Sequence, residues 1–351
     1  GWNIEGGPEG IVASLETTRE HLGEALALIS QVLQKPRFDP AQFAEMKTSW
    51  LAEVESERSD LSSLVAERLG RIGNPYPKGD VRYARTIDET LADIRGVTLD
   101  QVKAFYHDFY GASAGTLTVV GDFDSAALKA AITRDFGDWK SPTTWARVPR
   151  PYVATPGQSF RIDVKDKQNA LITEVTEMPL RDRDREYQAL RVATYIFGGS
   201  GASRLWERIR QKDGLSYDVG SAVSGGQFDA NVSWEVEAIF APQNVERVRT
   251  EVAEELARAQ KDGFTADELQ RAKDAIDEQV RLSRAQDRGL AGLLALFIER
   301  DQSPLDIARI QEMRDSLTLD EVNAAFRKYV HIDDFVIGTA GDFSKNAPAT
   351  K

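Results

Sequence analysis

The stretch Arg204-Leu205-Trp206-Glu207-Arg208-Ile209-Arg210-Gln211-Lys212-Asp213-Gly214-Leu215-Ser216-Tyr217 carries the sharpest chemical signature in this sequence. A basic helix ends at Gly214 and runs into a strand bearing Tyr217. The planar guanidinium of Arg210 can fork onto a carboxylate or a carbonyl oxygen. The Tyr217 phenol can donate a hydrogen bond beside it. The same residues also fit a plainer role, because positive charge favours a helix C-terminus and a tyrosine suits a sheet edge. On the residues alone the plainer role is the safer reading.

The other reactive residue types are scattered. The three histidines, His21, His107 and His331, have no histidine partner nearby in sequence, and there is no cysteine. His21 with Glu24 on one helix face gives only two ligands, short of the three or four a zinc site uses. His107 and His331 stand near helix ends, where an imidazolium suits the dipole. The turn Gly198-Gly199-Ser200-Gly201-Ala202-Ser203-Arg204 lacks the Gly-Lys-Ser/Thr ending of a phosphate loop, and a helix precedes it instead of a strand. It reads as a structural glycine turn between two helices. Ser203 has no Gly-x-Ser-x-Gly setting and no evident base. Glu53 and Glu57 share a helix face, but spacing alone does not make an acid–base pair.

Elements must position these groups, and composition bounds what those elements build. The 351 residues are 41% apolar and 28% charged, an ordinary globular balance, and the length suits about two to three domains. A net charge of −12 without a basic stripe argues against nucleic acid. No apolar run approaches the roughly 20 residues that cross a bilayer. The opening Gly1-Trp2-Asn3-Ile4-Glu5 lacks the basic start and apolar core of a secretory leader; a processed or excised chain would read the same way.

Apolar periodicity predicts a strand at 10–16, then a helix capped by Thr17 or Thr18, one opened by Asp39-Pro40, and one over 60–72. A helix from Thr98, a strand at 116–120 and a helix from Asp124 or Ser125 follow. Pro142, Pro149, Pro151 and Pro156 mark a linker. Beyond it come strands near 160–164 and 171–176, and a helix at 184–197. The Gly-rich turn leads into a helix to about Lys212. Strands near 217–223 and 229–238, helices at 242–261, 265–289 and 305–315, and a final helix and strand complete the chain.

The ending repeats the middle. Thr98-Leu99-Asp100, Val102 and Gly121-Asp122-Phe123 return 220 residues later as Thr318-Leu319-Asp320, Val322 and Gly341-Asp342-Phe343. A repeat this long is a duplicated domain. Phe264 with Thr265-Ala266-Asp267 likewise matches Phe38 with Asp39-Pro40-Ala41. By this comparison the first copy lacks about 70 residues at its start. The expected division is a truncated domain at 1–140, a Pro-rich linker at 141–159 and a complete domain at 160–351.

Gly198-Gly199-Ser200-Gly201-Ala202-Ser203-Arg204-Leu205 and Arg210-x-x-x-Gly214-Leu215-Ser216-Tyr217 resemble the pitrilysin/insulinase-type zinc metallopeptidases, including their processing-peptidase-like branch. Asn74-Pro75-Tyr76, the Thr98–Tyr110 helix and both Gly-Asp-Phe strand ends support the resemblance, which covers essentially the whole chain. It implies an α+β fold of the LuxS/processing-peptidase-like kind: two homologous domains, each an antiparallel-rich sheet with helices packed on it. The family's His-x-x-Glu-His zinc motif does not occur here, and Glu53 falls where a downstream glutamate ligand would lie. The resemblance therefore implies a non-catalytic half with no metal site and no catalytic residue of its own, Glu53 being at most a ligand remnant. Zinc is expected in the catalytic half of the parent. Arg210 and Tyr217 match positions that bind the substrate backbone, which implies peptide binding and chamber closure.

Implied partners are a catalytic half, on the same parent chain or a separate subunit, and a peptide substrate, with no nucleic acid and no membrane insertion; a homo-oligomer stays open. The implied setting is a bacterial periplasm or cytoplasm. Two alternatives stand beside this: a structural or interaction protein built on the peptidase fold, and a fragment of an active domain whose zinc motif lies upstream.

Overall fold

A computed structural model describes residues 1–7 and 10–344. The first repeat contains the strands β1 (Trp2–Gly7) and β2 (Gly10–Leu15). The helices α1 (Leu22–Gln34), α2 (Pro40–Glu57), α3 (Leu61–Arg71), α4 (Ile87–Gly96), α5 (Leu99–Phe109) and α6 (Ser125–Phe136) follow. The second contains β3 (Gln158–Asp163), β4 (Ala170–Met178), α7 (Arg185–Gly198), a π-helical turn (Trp206–Lys212), β5 (Ser216–Gly225) and β6 (Val232–Phe240). It ends with α8 (Val245–Asp262), α9 (Ala266–Arg284), α10 (Asp287–Glu299), α11 (Pro304–Asp315), α12 (Leu319–Tyr329) and β7 (Val336–Gly341). The fold is α+β, as the resemblance implies.

The repeat holds at the level of single bonds. Thr98 and Thr318 each close a capping box, with Gln101 and Glu321, which satisfies two otherwise orphaned helix N–H groups. Lys47 donates to the carbonyls of Arg95 and Val97 at 2.7 and 2.9 Å. Its counterpart Lys273 donates to those of Asp315 and Leu317, both at 2.7 Å. Phe38 meets Tyr106 edge-on at 5.4 Å, and Phe264 meets Phe326 edge-on at 5.1 Å.

Although the repeats are contiguous, the compact units are not. One unit comprises Gly1–Leu51, Ala92–Pro149 and Val280–Pro304. The other comprises Ala52–Leu91, Arg150–Gln279 and the described residues from 305 to 344. The division falls inside α2, α4 and α9, so the first repeat gives α3 to the unit built mainly from the second, and the second gives α10 to the unit built mainly from the first. In the second unit α3 lays Val65 against Leu171 and Ala340. A Cβ at Gly338 would lie 2.7 Å from the Val65 side chain, so glycine makes the room. In the first unit the counterpart helix is α10, whose Ala291 carbonyl accepts from Thr118 Oγ1 at 2.9 Å. Val65 and Ala291 are equivalent positions in the two repeats, as are Thr118 and Gly338. No regular element lies between Phe136 and Gln158, and we propose the prolines at 141–159 as the join between the repeats.

The second unit holds a five-stranded sheet in the order β3-β7-β4-β6-β5, antiparallel except for β3 with β7. Ala170, Ile172 and Met178 of β4 and Val232, Trp234, Val236 and Ala238 of β6 point into the main core, where α7, α8, α9 and α12 cover them. Trp234 is fully buried. It stacks on Phe335 at 5.5 Å, and its Nε1 donates to Thr194 Oγ1 at 2.9 Å. Removing such an aromatic costs about 3–5 kcal/mol.

Four local expectations differ from the structure. Residues 116–120 are not a strand. Their counterpart β7 pairs with β3 and β4, and no described strand lies beside 116–120 to complete a ladder. The first unit's strands form only the hairpin β1–β2, of which β1 had no signal in the sequence. Thr18 precedes a short 3₁₀ turn without capping it, and α1 begins at Leu22. The helix expected over 265–289 breaks after Arg284, and α10 starts at Asp287. Gly289 permits this crossing, since a Cβ there would sit 2.3 Å from the Ser283 carbonyl oxygen.

Candidate functional site

The Arg210–Tyr217 segment is positioned from two directions. Upstream, α7 ends at Gly198 and Gly199, and the Gly199 N–H donates to the Thr194 and Tyr195 carbonyls, each at 3.1 Å. Neither glycine has positive φ; both are needed for space. A Cβ on Gly198 would lie 2.5 Å from the Ser221 nitrogen, and one on Gly199 2.7 Å from the Tyr195 Cα. Gly201, by contrast, has open space around it. Ser203 is buried, its hydroxyl without a hydrogen-bond partner among the described residues. No base is bonded to it, so the structure builds no serine nucleophile.

Two neighbouring arginines are engaged in holding the turn. Arg204 clasps Glu268 with two bonds of 2.7 and 2.8 Å, donates to the Gly263 carbonyl at 3.0 Å and lies over the Phe264 ring. Burial works against the Glu268 carboxylate. The hydrogen bonds from Arg204 and from the Thr265 backbone outweigh it and hold its pKa below the usual range. Arg208 bonds Glu254 and approaches Glu255 at 3.7 Å and Glu251 at 4.0 Å. Glu255 has no exposed side-chain surface, and Arg258 pairs with it at 2.6 Å. Leu205 and Ile209 are fully buried beneath the turn. The π-helical turn is thereby fastened to α8 and α9.

Arg210 is the arginine left over. It is exposed, with its guanidinium 4.3 Å above the Trp206 ring. Such stacking limits the rotamers of a long side chain and adds an attraction of about 0.5–1 kcal/mol at exposed sites. Downstream, Gly214 (φ +60) turns the chain, and Asn244 Nδ2 pins the Leu215 carbonyl at 3.0 Å. β5 then starts with an irregular register: Ser216 faces Phe240, yet Asp218 faces Ile239. Tyr217 is the extra residue of this bulge and is 60% exposed. Bulges re-aim side chains in this way. Among the described residues neither the Arg210 guanidinium nor the Tyr217 hydroxyl has a hydrogen bond or ion pair within the chain. Two donors on consecutive elements face solvent, a chemistry suited to carbonyl or carboxylate oxygens.

A family model for the peptidase M16 inactive domain matches residues 96–276, just over half of the chain. The chain belongs to this family. An uncharacterized zinc protease of Rickettsia bellii is 26% identical over 81% of this chain and 66% of its own length. The non-peptidase homolog YmxG of Helicobacter pylori is 22% identical over 62% of this chain and 49% of its own. The chain thus spans less than two thirds of these curated relatives. The crystal structure of a peptidase M16 inactive domain from Pseudomonas fluorescens has the same fold. Its TM-score is 0.79 at 22% identity, covering 97% of this chain and 80% of that one.

In this M16 inactive domain the titratable residues do not converge. His21 stands exposed beside Glu20 and Glu24 at 3.4 and 3.5 Å, His107 beside Asp108 at 3.0 Å, and His331 against the Lys328 carbonyl at 3.1 Å. Glu53 is exposed on α2. Among the described residues no group of three or more histidines or carboxylates is placed to hold a metal ion. The relatives' names speak of zinc proteases; the described residues of this M16 inactive domain do not fit a zinc ion.

One group was missed in the sequence. Glu174 lies on β4 opposite Val236, on the core face of the sheet, and is 4% exposed. Burial pushes its pKa up to about 7, with Arg249 opposing. The signal was available: a lone charge in the apolar run Leu171-Ile172-Thr173-Glu174-Val175, at a position whose neighbours two residues away point inward.

Proposed function

We propose that this chain is the non-catalytic half of a zinc metallopeptidase and binds an extended peptide through Arg210 and Tyr217. The carrying observation is their freedom: both are exposed and unpaired among the described residues, while Arg204 and Arg208 beside them are held by carboxylates. In this reading Arg210 forks onto a backbone carbonyl, Tyr217 donates to a second, and the catalytic half closes a chamber over them. Zinc and the attacking water belong to that other half. Non-peptidase relatives support the absence of hydrolysis by this half.

The test is binding of a labelled unstructured peptide to the purified chain by fluorescence anisotropy. Arg210→Ala and Tyr217→Phe are each expected to weaken binding by about tenfold, the worth of one charge-assisted or well-placed hydrogen bond. Unchanged affinity in both variants would overturn peptide binding at this site and favour the structural role. Chelator-sensitive cleavage by the chain alone would overturn the non-catalytic assignment.

A further inference from the structure

We propose that the cleft between α7 and α9 is a separate binding site, which takes the free C-terminal residue of a peptide when that residue is apolar. Within the second unit these helices leave a cavity of about 170 Å³. Tyr195 and Ile196 of α7 and Ala272 and Ala275 of α9 wall it, with Ala202 from the turn that follows α7. The size suits one large side chain, since about 150 Å³ accommodates a benzene ring.

Charge sets the occupant's chemistry. Two charged side chains line the cavity, Glu268 and Arg271. Glu268 is already satisfied: Arg204 clasps both its oxygens, and the Thr265 N–H and hydroxyl donate to one of them at 2.8 and 3.0 Å. Arg271 is exposed and has no hydrogen bond or ion pair among the described residues. One turn before Tyr195 on α7, Arg191 is half-buried and has no such partner either. Burial holds the Arg191 pKa below the ordinary arginine value, and the charge of Arg314 adds to this. Arg314 cannot share a carboxylate with it at no cost, because its own guanidinium is buried and held by Asp277. A desolvated cation without a counter-charge is unfavourable, and an incoming anion relieves it. In a chain of net charge −12, these unpaired guanidiniums on the two helices of one cavity make a local positive site.

The matching ligand carries an apolar group and a carboxylate close together. The last residue of a peptide has both on one Cα. Its side chain would enter the cavity, and its carboxylate would meet the fork of Arg271, a geometry that guanidinium suits. The Arg210–Tyr217 pair is assigned neutral carbonyls of an internal stretch, so this site does not rest on that reading.

The probe is N-acetyl-glycyl-phenylalanine, titrated against the full 351-residue chain by ligand-observed NMR beside its C-terminal amide and N-acetyl-glycyl-glycine. The free acid should bind roughly tenfold tighter than the amide, the scale of one charge-assisted contact. It should also bind roughly tenfold tighter than the glycine peptide, because only the ring fills the cavity. Arg271→Gln, a change at an exposed side chain, should abolish the difference between acid and amide. Arg191→Gln should weaken binding of the acid about threefold, the scale of a charge acting without direct contact. Ala275→Leu should fill the cavity and remove saturable binding while the thermal midpoint holds. No saturable binding to the unaltered chain, or acid and amide binding alike, would overturn the proposal. An amidated phenylalanyl-aspartate peptide that binds as tightly as the free acid would overturn it in favour of an internal acidic side chain. Arg210 and Tyr217 play no part in this binding, so its failure is separate from failure of the peptide site.

Discussion

Glu174 shows how a single residue can set a pH profile. Its folded pKa, pushed up to about 7, lies above the value of about 4.5 expected in the unfolded chain. A carboxyl with a raised folded pKa is most favourable when neutral. Its contribution is therefore complete below about pH 4.5 and declines as pH rises toward 7. Glu174→Gln should then be the more stable protein at pH 8, by roughly 3 kcal/mol from the size of the shift. The difference should shrink to near zero below pH 4.5. Urea denaturation of both proteins across that range checks this; a constant gap would refute it. Arg210 and Tyr217 make the opposite point at the same scale. Their residue types were legible in the sequence. Their freedom was not, because it depends on which of three nearby arginines the carboxylates of α8 and α9 engage.

At the scale of elements, the π-helical turn and the bulge of β5 do the positioning. A π-helical turn and a two-against-one bulge each shift side chains from where regular periodicity would put them. A regular helix to Lys212 and a regular strand from 217 were the sequence expectation, and neither pattern encodes the shift. Arg204 holds the upstream end, and both it and Glu268 are largely buried. Breaking one partner of such a pair leaves a desolvated charge. Arg204→Met should lower stability by about 3 kcal/mol. The loss should appear as a reduced thermal midpoint, with weaker peptide binding as the turn loosens. An unchanged midpoint would show that the pair does not hold the turn. Helix starts, by contrast, were readable, because caps are local. Asp39, Asp60, Thr98, Asp124 and Thr318 all accept from the first-turn N–H groups.

For the whole molecule, the governing feature is that each repeat lends a helix, α3 or α10, to the unit built mainly from the other. Residues 160–344 are not a complete unit by themselves, because Val65 on α3 covers Leu171 and Ala340. Expressed alone, 150–351 should bind a hydrophobic dye and unfold less cooperatively than the full chain. A peptide spanning 58–74 added in trans should reduce that dye binding. A fragment that unfolds as sharply as the full chain, with no dye binding, would show that α3 is dispensable.

The sequence by itself determined the duplication, the helix starts that carry an Asp or Thr cap, the α+β class and the family. These rest on periodicity, caps and short motifs, which act over a few residues. Tertiary structure alone decided the exchange of α3 and α10, the lack of a strand at 116–120, the buried Glu174 and the freedom of Arg210 and Tyr217. Each depends on what distant residues lie opposite. A strand needs a neighbour to complete its ladder, a carboxyl changes its pKa by what surrounds it, and an arginine is free only when no glutamate has reached it.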